Sequence, residues 1–152
     1  TALFKIIANI VHHAQEERFG CTLIVDLTPT PIETAGQHPE KPLDLRNPEL
    51  LDLAKSLSRV DGALHIGIDL HLHGFACLLD GLAVAGEDRS RGARYNSALR
   101  FTARHPDLLA VVVSADRPVS VIQGGVELTA QCDWKPVYGY MDTPPLLTEY
   151  IG

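Results

Sequence analysis

The segment VDGALHIGIDLHLHGFACLL, residues 60–79, decides the fold. Val60-Asp61-Gly62 breaks a preceding helical pattern. Ala63 to Ile68 then reads as a strand, Asp69-Leu70-His71 as a turn, and Leu72 to Leu79 as a strand coming back. A hairpin here means that the sheet is not purely parallel. Asp61 stands where a helix ends and a strand begins, and Gly62 and Ala63 leave room for a bulky ligand against the backbone. A carboxylate at this point can bind a divalent metal or draw a proton from a sugar hydroxyl. Asp-Gly is equally an ordinary turn before a strand.

Working back from this segment, Asn47-Pro48-Glu49 is a helix start, with a cap, a proline in the first turn and an acid. Leu50, Leu51, Leu53, Ala54 and Leu57 supply the apolar face of that helix. Residues 28–47 form a long loop rich in proline, with one short extended piece at Leu43 to Leu45. Cys21 to Leu27 is a β-branched apolar run and reads as a central strand. Thr1 to about Arg18 is helical, because Leu3, Phe4, Ile6, Ile7, Ile10, Val11 and Ala14 recur at three- and four-residue steps; Thr1 serves as the cap and Gly20 as the stop. His12 and His13 are adjacent on this helix and read as surface residues.

Forward from the segment, residues 80–91 are polar and read as a loop. Gly92-Ala93-Arg94-Tyr95-Asn96-Ser97-Ala98 opens a helix that runs to Arg104, with Leu99 and Phe101 as its buried residues. Helix N-termini present free N–H groups and partial positive charge, which suit phosphate. Arg94 adds a forked donor, with Asn96 and Ser97 beside it, and Arg89 and Arg91 raise the local charge. A solvated loop entering an amphipathic helix has the same pattern, and no nucleotide-binding glycine motif of standard form occurs. Leu108 to Ser114, Val119 to Gln123 and Val126 to Leu128 are further strands. The chain therefore reads as α/β, a mixed β-sheet sandwiched by helices in one domain over residues 1–128. Residues 129–152 are a tail, with Trp134, Tyr138, Tyr140 and Tyr150 packing on the scaffold or on a neighbouring region.

The 152 residues suit one core, and 45% hydrophobic with 21% charged residues is ordinary for a globular domain. A net charge of −6 argues against binding a nucleic-acid polymer. The apolar runs are too short to span a bilayer, and no membrane contact is expected. Cys21, Cys77 and Cys132 are widely spaced, which fits reduced thiols in a cytoplasmic protein. The start at Thr1 rather than Met reads as an excised domain.

The two stretches together resemble the diadenylate cyclase (DAC, DNA-integrity-scanning protein nucleotide-binding) domain family, which pairs an Asp-Gly-Ala motif with a later Gly-Thr-Arg-His-Arg-type motif. Phe19 to Val25 resembles the family's early strand and Arg59 to Ala63 the opening of its first motif. Leu108 to Ser114, followed by Val119-Ser120-Val121, resembles its later strand pair. The likeness runs over about residues 14–124. It implies a nucleotidyltransferase that condenses two ATP molecules into cyclic di-AMP and two pyrophosphates across a face-to-face dimer or higher homo-oligomer, with Mg²⁺ or Mn²⁺. It implies that Asp61 and Arg94 are catalytic, with Asp61 at the metal, and that Gly62, Ala63, Gly92, Ala93, Tyr95, Asn96, Ser97, Ser114 and Arg117 line the nucleotide. The family's Thr-Arg-His-Arg stands here as Ala93-Arg94-Tyr95-Asn96, and a glutamate carried by many members after the strand is Ala115, followed by Asp116. A second reading is thus a weakened cyclase fold that binds ATP or cyclic di-AMP as a sensor. A third uses His65, His71 and His73 of the hairpin as metal ligands, since alternate strand residues share a face. Ser97 as a hydrolase nucleophile lacks the nucleophile-elbow motif.

Overall fold

The computed structural model describes residues 1–131. Helix α1, Ala2–Glu16, buries Phe4, Ile6, Ile7, Ile10, Val11 and Ala14, the apolar stripe expected from the three- and four-residue steps. Its ends differ from expectation. Thr1 makes no side-chain cap bond, and the helix stops before Gly20, with Glu17 as cap and Arg18 taking the left-handed conformation at φ 57°. Gly20 is thereby left to a different task.

Strands β1 (Cys21–Asp26), β2 (Ala35–Gln37), β3 (Leu43–Asp44), β4 (Ala63–Gly67), β5 (His71–Leu78), β6 (Leu108–Val113), β7 (Ser120–Gln123) and β8 (Val126–Glu127) form one sheet in the order β2-β5-β4-β1-β6-β7-β8, with β3 also on β5. β1 and β4 are parallel, joined through α2 (Pro48–Leu57), and the other pairings among the described residues are antiparallel. The two hairpins expected from sequence, β4–β5 and β6–β7, make the sheet mixed. The extended piece near Leu43 is β3; β2, inside the same loop, carried no alternating pattern and is exposed throughout.

Both faces of the sheet are covered. Leu23 and Val25 of β1, Leu64 and Ile66 of β4, and Val111 and Val113 of β6 pack with α1 and with Ala54 of α2. Ile24, Ala63, Ala110, Val112 and Ile122 pack on the opposite face with Tyr95, Ala98, Leu99 and Phe101 of α3 (Ala93–Arg104). This is the period-two alternation of a two-sided sheet, with each fully buried aliphatic side chain contributing about 1.5–3 kcal/mol. In α2, Asn47 caps through Oδ1 to the Glu49 amide at 2.9 Å. Leu53 of that helix is 44% exposed, contrary to its place in the expected apolar face, because it sits about 100° around the helix from buried Ala54.

A short helix, α4 (Leu128–Gln131), follows β8, so the expected domain limit at residue 128 falls at its start. The aromatic cluster at Trp134, Tyr138, Tyr140 and Tyr150, together with Cys132, lies outside the described residues.

Candidate functional site

Strand pairing gathers the two sequence motifs at one edge of the sheet. Because β1 and β4 run parallel with Thr22 opposite Ala63, the residues just before each strand, Gly20 and Asp61, lie at the same edge. β6 runs the other way, with Val113 opposite Cys21, so its following residue Ser114 arrives there too. The segments entering β1 and β4 touch, since the Arg59 guanidinium lies 4.6 Å over the Phe19 ring.

A bulge in β5 closes on Gly62. The register shifts between Ala63↔Cys77 and His65↔Gly74, and Ala76 adopts φ 50°. This drives the Ala76 backbone against Gly62, where a Cβ would stand 2.5 Å from the Ala76 carbonyl carbon. Gly62 itself has φ 114°, so two separate demands select glycine. Asp61, one residue earlier, is exposed to solvent.

Arg94 reaches the same edge from α3. Its Nη1 lies 3.0 Å from where a Cβ on Gly20 would be, with the Val113 carbonyl oxygen at 3.1 Å, so Gly20 lets the guanidinium lie on bare backbone. Burial pushes the neighbouring Cys21 thiol up to about 12, while the Arg94 charge pulls the other way. The Arg94 guanidinium therefore lies against Gly20, and Asp61 stands on the neighbouring strand extension, about 4.8 Å across. Gly92, the cap residue of α3, has φ 88° and nothing within 4 Å of a Cβ position. The helix has no side-chain cap and no acid in its first turn, so no side chain satisfies its first amides beside the Arg94 charge. Ala93 is exposed there as well, and Ser97, three residues after Arg94, shares its helix face and is partly exposed.

Other expected ligand residues are engaged within the protein. Tyr95 is buried, and its hydroxyl donates to Glu127 Oε1 at 3.1 Å. Asn96 donates to the carbonyls of Asp88 at 2.8 Å and Gly92 at 2.9 Å, and accepts from the Asp88 amide at 2.8 Å. It thereby locks the 3₁₀ turn Arg89–Arg91 onto α3. Arg117 is exposed and donates through Nη2 to the Ser90 carbonyl at 2.7 Å. The edge thus brings together Asp61, Gly62, Ala63, Gly92, Ala93, Arg94, Ser97 and Ser114, with Arg117 beyond the 3₁₀ turn.

The hairpin histidine rings lie near one another, with centroids 5.7 Å apart for His65 and His73 and 6.4 Å for His71 and His73, but each is engaged by an oxygen partner. His65 is 1% exposed, and its Nε2–H donates to Asp26 Oδ2 at 2.8 Å. His73 donates to the Asp69 carboxylate at 2.9 Å, and His71 donates through Nδ1 to the Asp69 carbonyl at 2.7 Å. Among the described residues no three His, Cys, Asp or Glu side chains are grouped to hold a metal ion.

Two constellations were not anticipated from sequence. One is the buried chain through Asp26 and His65. Asp26 accepts from the Thr28 and Ile32 amides, at 3.0 and 2.9 Å, and from the Thr28 hydroxyl. Thr34 Oγ1 meets His65 Nδ1 at 3.3 Å and the Cys77 thiol at 3.4 Å. Burial favours the neutral imidazole, and the carboxylate beside Nε2 assigns its proton there. The only signal in the sequence was an acid ending an otherwise apolar strand. The other is Glu127, which gathers Arg91, Tyr95 and Thr129.

Among solved structures the chain is similar to a double mutant of DacA from Staphylococcus aureus, at 16% identity and TM-score 0.63, covering 99% of this chain and 97% of that one. It is also similar to a hypothetical membrane spanning protein from Bacillus cereus, at 18% identity and TM-score 0.60, covering 81% of this chain. The chain covers 60% of that protein, and at these identities the likeness shows the fold. No curated protein matches the sequence. No helix among the described residues is long and apolar enough to cross a membrane. The model of the DAC family, described as the DisA bacterial checkpoint controller nucleotide-binding domain, matches residues 9–127, which hold both motifs, all eight strands and α3. With that match over most of its length, the chain belongs to the diadenylate cyclase domain family.

Proposed function

We propose that the chain binds ATP at this sheet edge and, as a face-to-face dimer in the cytoplasm, condenses two ATP into cyclic di-AMP and two pyrophosphates. The observation that carries this reading is the Arg94 guanidinium lying on Gly20, one strand from Asp61, beside uncapped amides of α3. Arg94, Ser97 and the first-turn amides take the phosphates, where a charged fork and a helix N-terminus both favour an anion. Contrary to the expectation from sequence, the small size of Gly62 and Ala63 serves packing against Ala76 and α3, and these two residues hold Asp61 at the strand end. Asp61 accepts the proton of a ribose 3′-hydroxyl as that oxygen bonds to the α-phosphorus of the opposite nucleotide, and the bond to pyrophosphate breaks. Asp61 is a single carboxylate rather than a cage, and this fits Mg²⁺ or Mn²⁺ arriving on the nucleotide phosphates, as Mg²⁺ commonly does. Bound in that way, the ion neutralises phosphate charge. A second copy of the chain is required, because each supplies one nucleotide.

The test is incubation of the purified chain with ATP and Mn²⁺, followed by mass spectrometry for cyclic di-AMP, with oligomer mass measured in parallel. Asp61→Asn abolishes product if the reading is right; ATP binding without product or pyrophosphate rejects turnover. A second reading, a sensor that binds nucleotide without turnover, is favoured by the internal engagement of Tyr95 and Asn96, which removes two polar groups from the second motif.

A further inference from the structure

α3 carries Arg94 in its first turn, and Asn96 ties this turn to the 3₁₀ turn before it, not to the sheet. The cap of α3 is a glycine with φ 88°, and no side chain bonds the first amides. Something else must fix the rotation of this turn about the helix axis. Adjacent helix residues point about 100° apart, so fixing Tyr95 fixes the direction of Arg94.

Tyr95 is fixed on three sides. Its ring packs among the residues of the α3-facing core, and it is 8% exposed. The Arg91 guanidinium lies 4.1 Å over the ring centroid, within the range of a cation–π contact. Its hydroxyl donates to Glu127 Oε1, the same oxygen that accepts from Arg91 Nη1 at 3.1 Å. Arg91 Nη2 donates to Ser120 Oγ at 2.9 Å, and Thr129 donates to the other Glu127 oxygen at 2.7 Å. Glu127 is thus the one acceptor that joins the 3₁₀ turn, the first turn of α3 and the β7–β8 edge of the sheet.

We propose that Glu127 is a positioning residue for Arg94: through Tyr95 and Arg91 it sets the rotation of the first turn of α3 and so aims the Arg94 guanidinium at Gly20 and the Asp61 edge. This rests on the nucleotide reading above. Glu127 touches neither the proposed phosphates nor Asp61; it acts through the helix. Its negative charge near a helix N-terminus also offsets Arg91, leaving Arg94 as the cation free to meet an anion.

The experiment is a double-mutant cycle on ATP binding with Mg²⁺, measured by titration calorimetry on the whole chain. Glu127→Gln weakens ATP binding on the order of tenfold, within the coupling of residues that share one hydrogen-bond network. Tyr95→Phe, which keeps the ring and loses the hydroxyl, moves it in the same direction by less. On an Arg94→Ala background, Glu127→Gln changes binding by less than about twofold, because the group it aims is gone. A purely structural role for Glu127 gives equal losses on both backgrounds, and that result overturns the proposal. Amide hydrogen exchange supplies a readout independent of ligand. Glu127→Gln and Tyr95→Phe speed exchange in the first turn of α3 while α1 is unchanged, and unchanged exchange in that turn also overturns it. If the unmodified chain binds no ATP, the nucleotide reading falls, and hydrogen exchange alone then decides whether Glu127 sets the turn.

Discussion

Replacing Asp26 with alanine removes the acceptor at the centre of the most deeply buried polar cluster. Asp26 is 0% exposed and His65 1%. Four donors converge on the carboxylate: the Thr28 amide and hydroxyl, the Ile32 amide and His65 Nε2. Thr28 is only half-buried, and its hydroxyl has a second acceptor in the Thr30 carbonyl at 2.7 Å. Its donors can recover water. The donors of Ile32 and His65 recover less, and an orphaned buried donor costs about 1–3 kcal/mol. The two together give about 2–6 kcal/mol, in line with the roughly 3–5 kcal/mol for breaking a buried pair. For a chain of this length, about 2–6 kcal/mol is a fall of about 4–24 °C in Tm. Thermal and urea unfolding followed by circular dichroism read it directly. Thr34→Val, which removes the hydroxyl beside Nδ1 and beside the Cys77 thiol, costs about 1 kcal/mol.

The same cluster fixes a pH dependence. Burial raises the Asp26 carboxyl, but its bonds from Thr28, Ile32 and His65 outweigh this and leave it below the usual range. Burial depresses His65, with Asp26 pulling the other way. Both folded values lie below the unfolded ones, so both contributions are present at neutral pH and are lost on acidification. The His65 loss begins as pH falls below about 6.5, and the Asp26 loss below about 3.9. In Asp26→Ala the imidazole loses the group that helps it hold a proton, so the loss of stability between pH 6.5 and 5 becomes steeper. A variant less than about 1 kcal/mol less stable at pH 7, or one whose stability falls less steeply between about pH 6.5 and 5, refutes this account of the cluster. Asp26 lies at the opposite end of β1 from Gly20, so ATP affinity in the folded variant stays as in the unmodified chain.

Three further substitutions test the motif glycines and a helix start. Gly62→Ala meets the Ala76 backbone at 2.5 Å from a residue at φ 114°, and by unfolding assay it costs more than the ~1–2 kcal/mol of backbone strain alone. Gly92→Ala has open space around its Cβ, so only the strain of φ 88° with ψ 176° applies; it lowers stability by about 1–3 kcal/mol and less than Gly62→Ala does. Asn47→Ala removes the cap bond to Glu49 and costs about 1 kcal/mol, read from the urea midpoint.

The periodicities of the chain by themselves determined most of the scaffold. Three- and four-residue steps marked α1, Asn47-Pro48 marked α2, and apolar runs marked β1, β4 and β6, because burial of one helix stripe or of a strand leaves a local pattern of side chains. The order of the two motifs along the chain was enough to name the family. Contacts made across the fold leave no such pattern. That Gly20 is a seat for Arg94 rather than a helix stop depended on β6 arriving beside β1. That Gly62 answers a bulge at Ala76 depended on the register of β5. Tyr95 and Asn96 read as ligands from their place beside Arg94, yet packing against Glu127, and the turn around Asp88, claimed them. Asp26 and His65 are 39 positions apart. Only the parallel pairing of β1 with β4 makes them one buried pair.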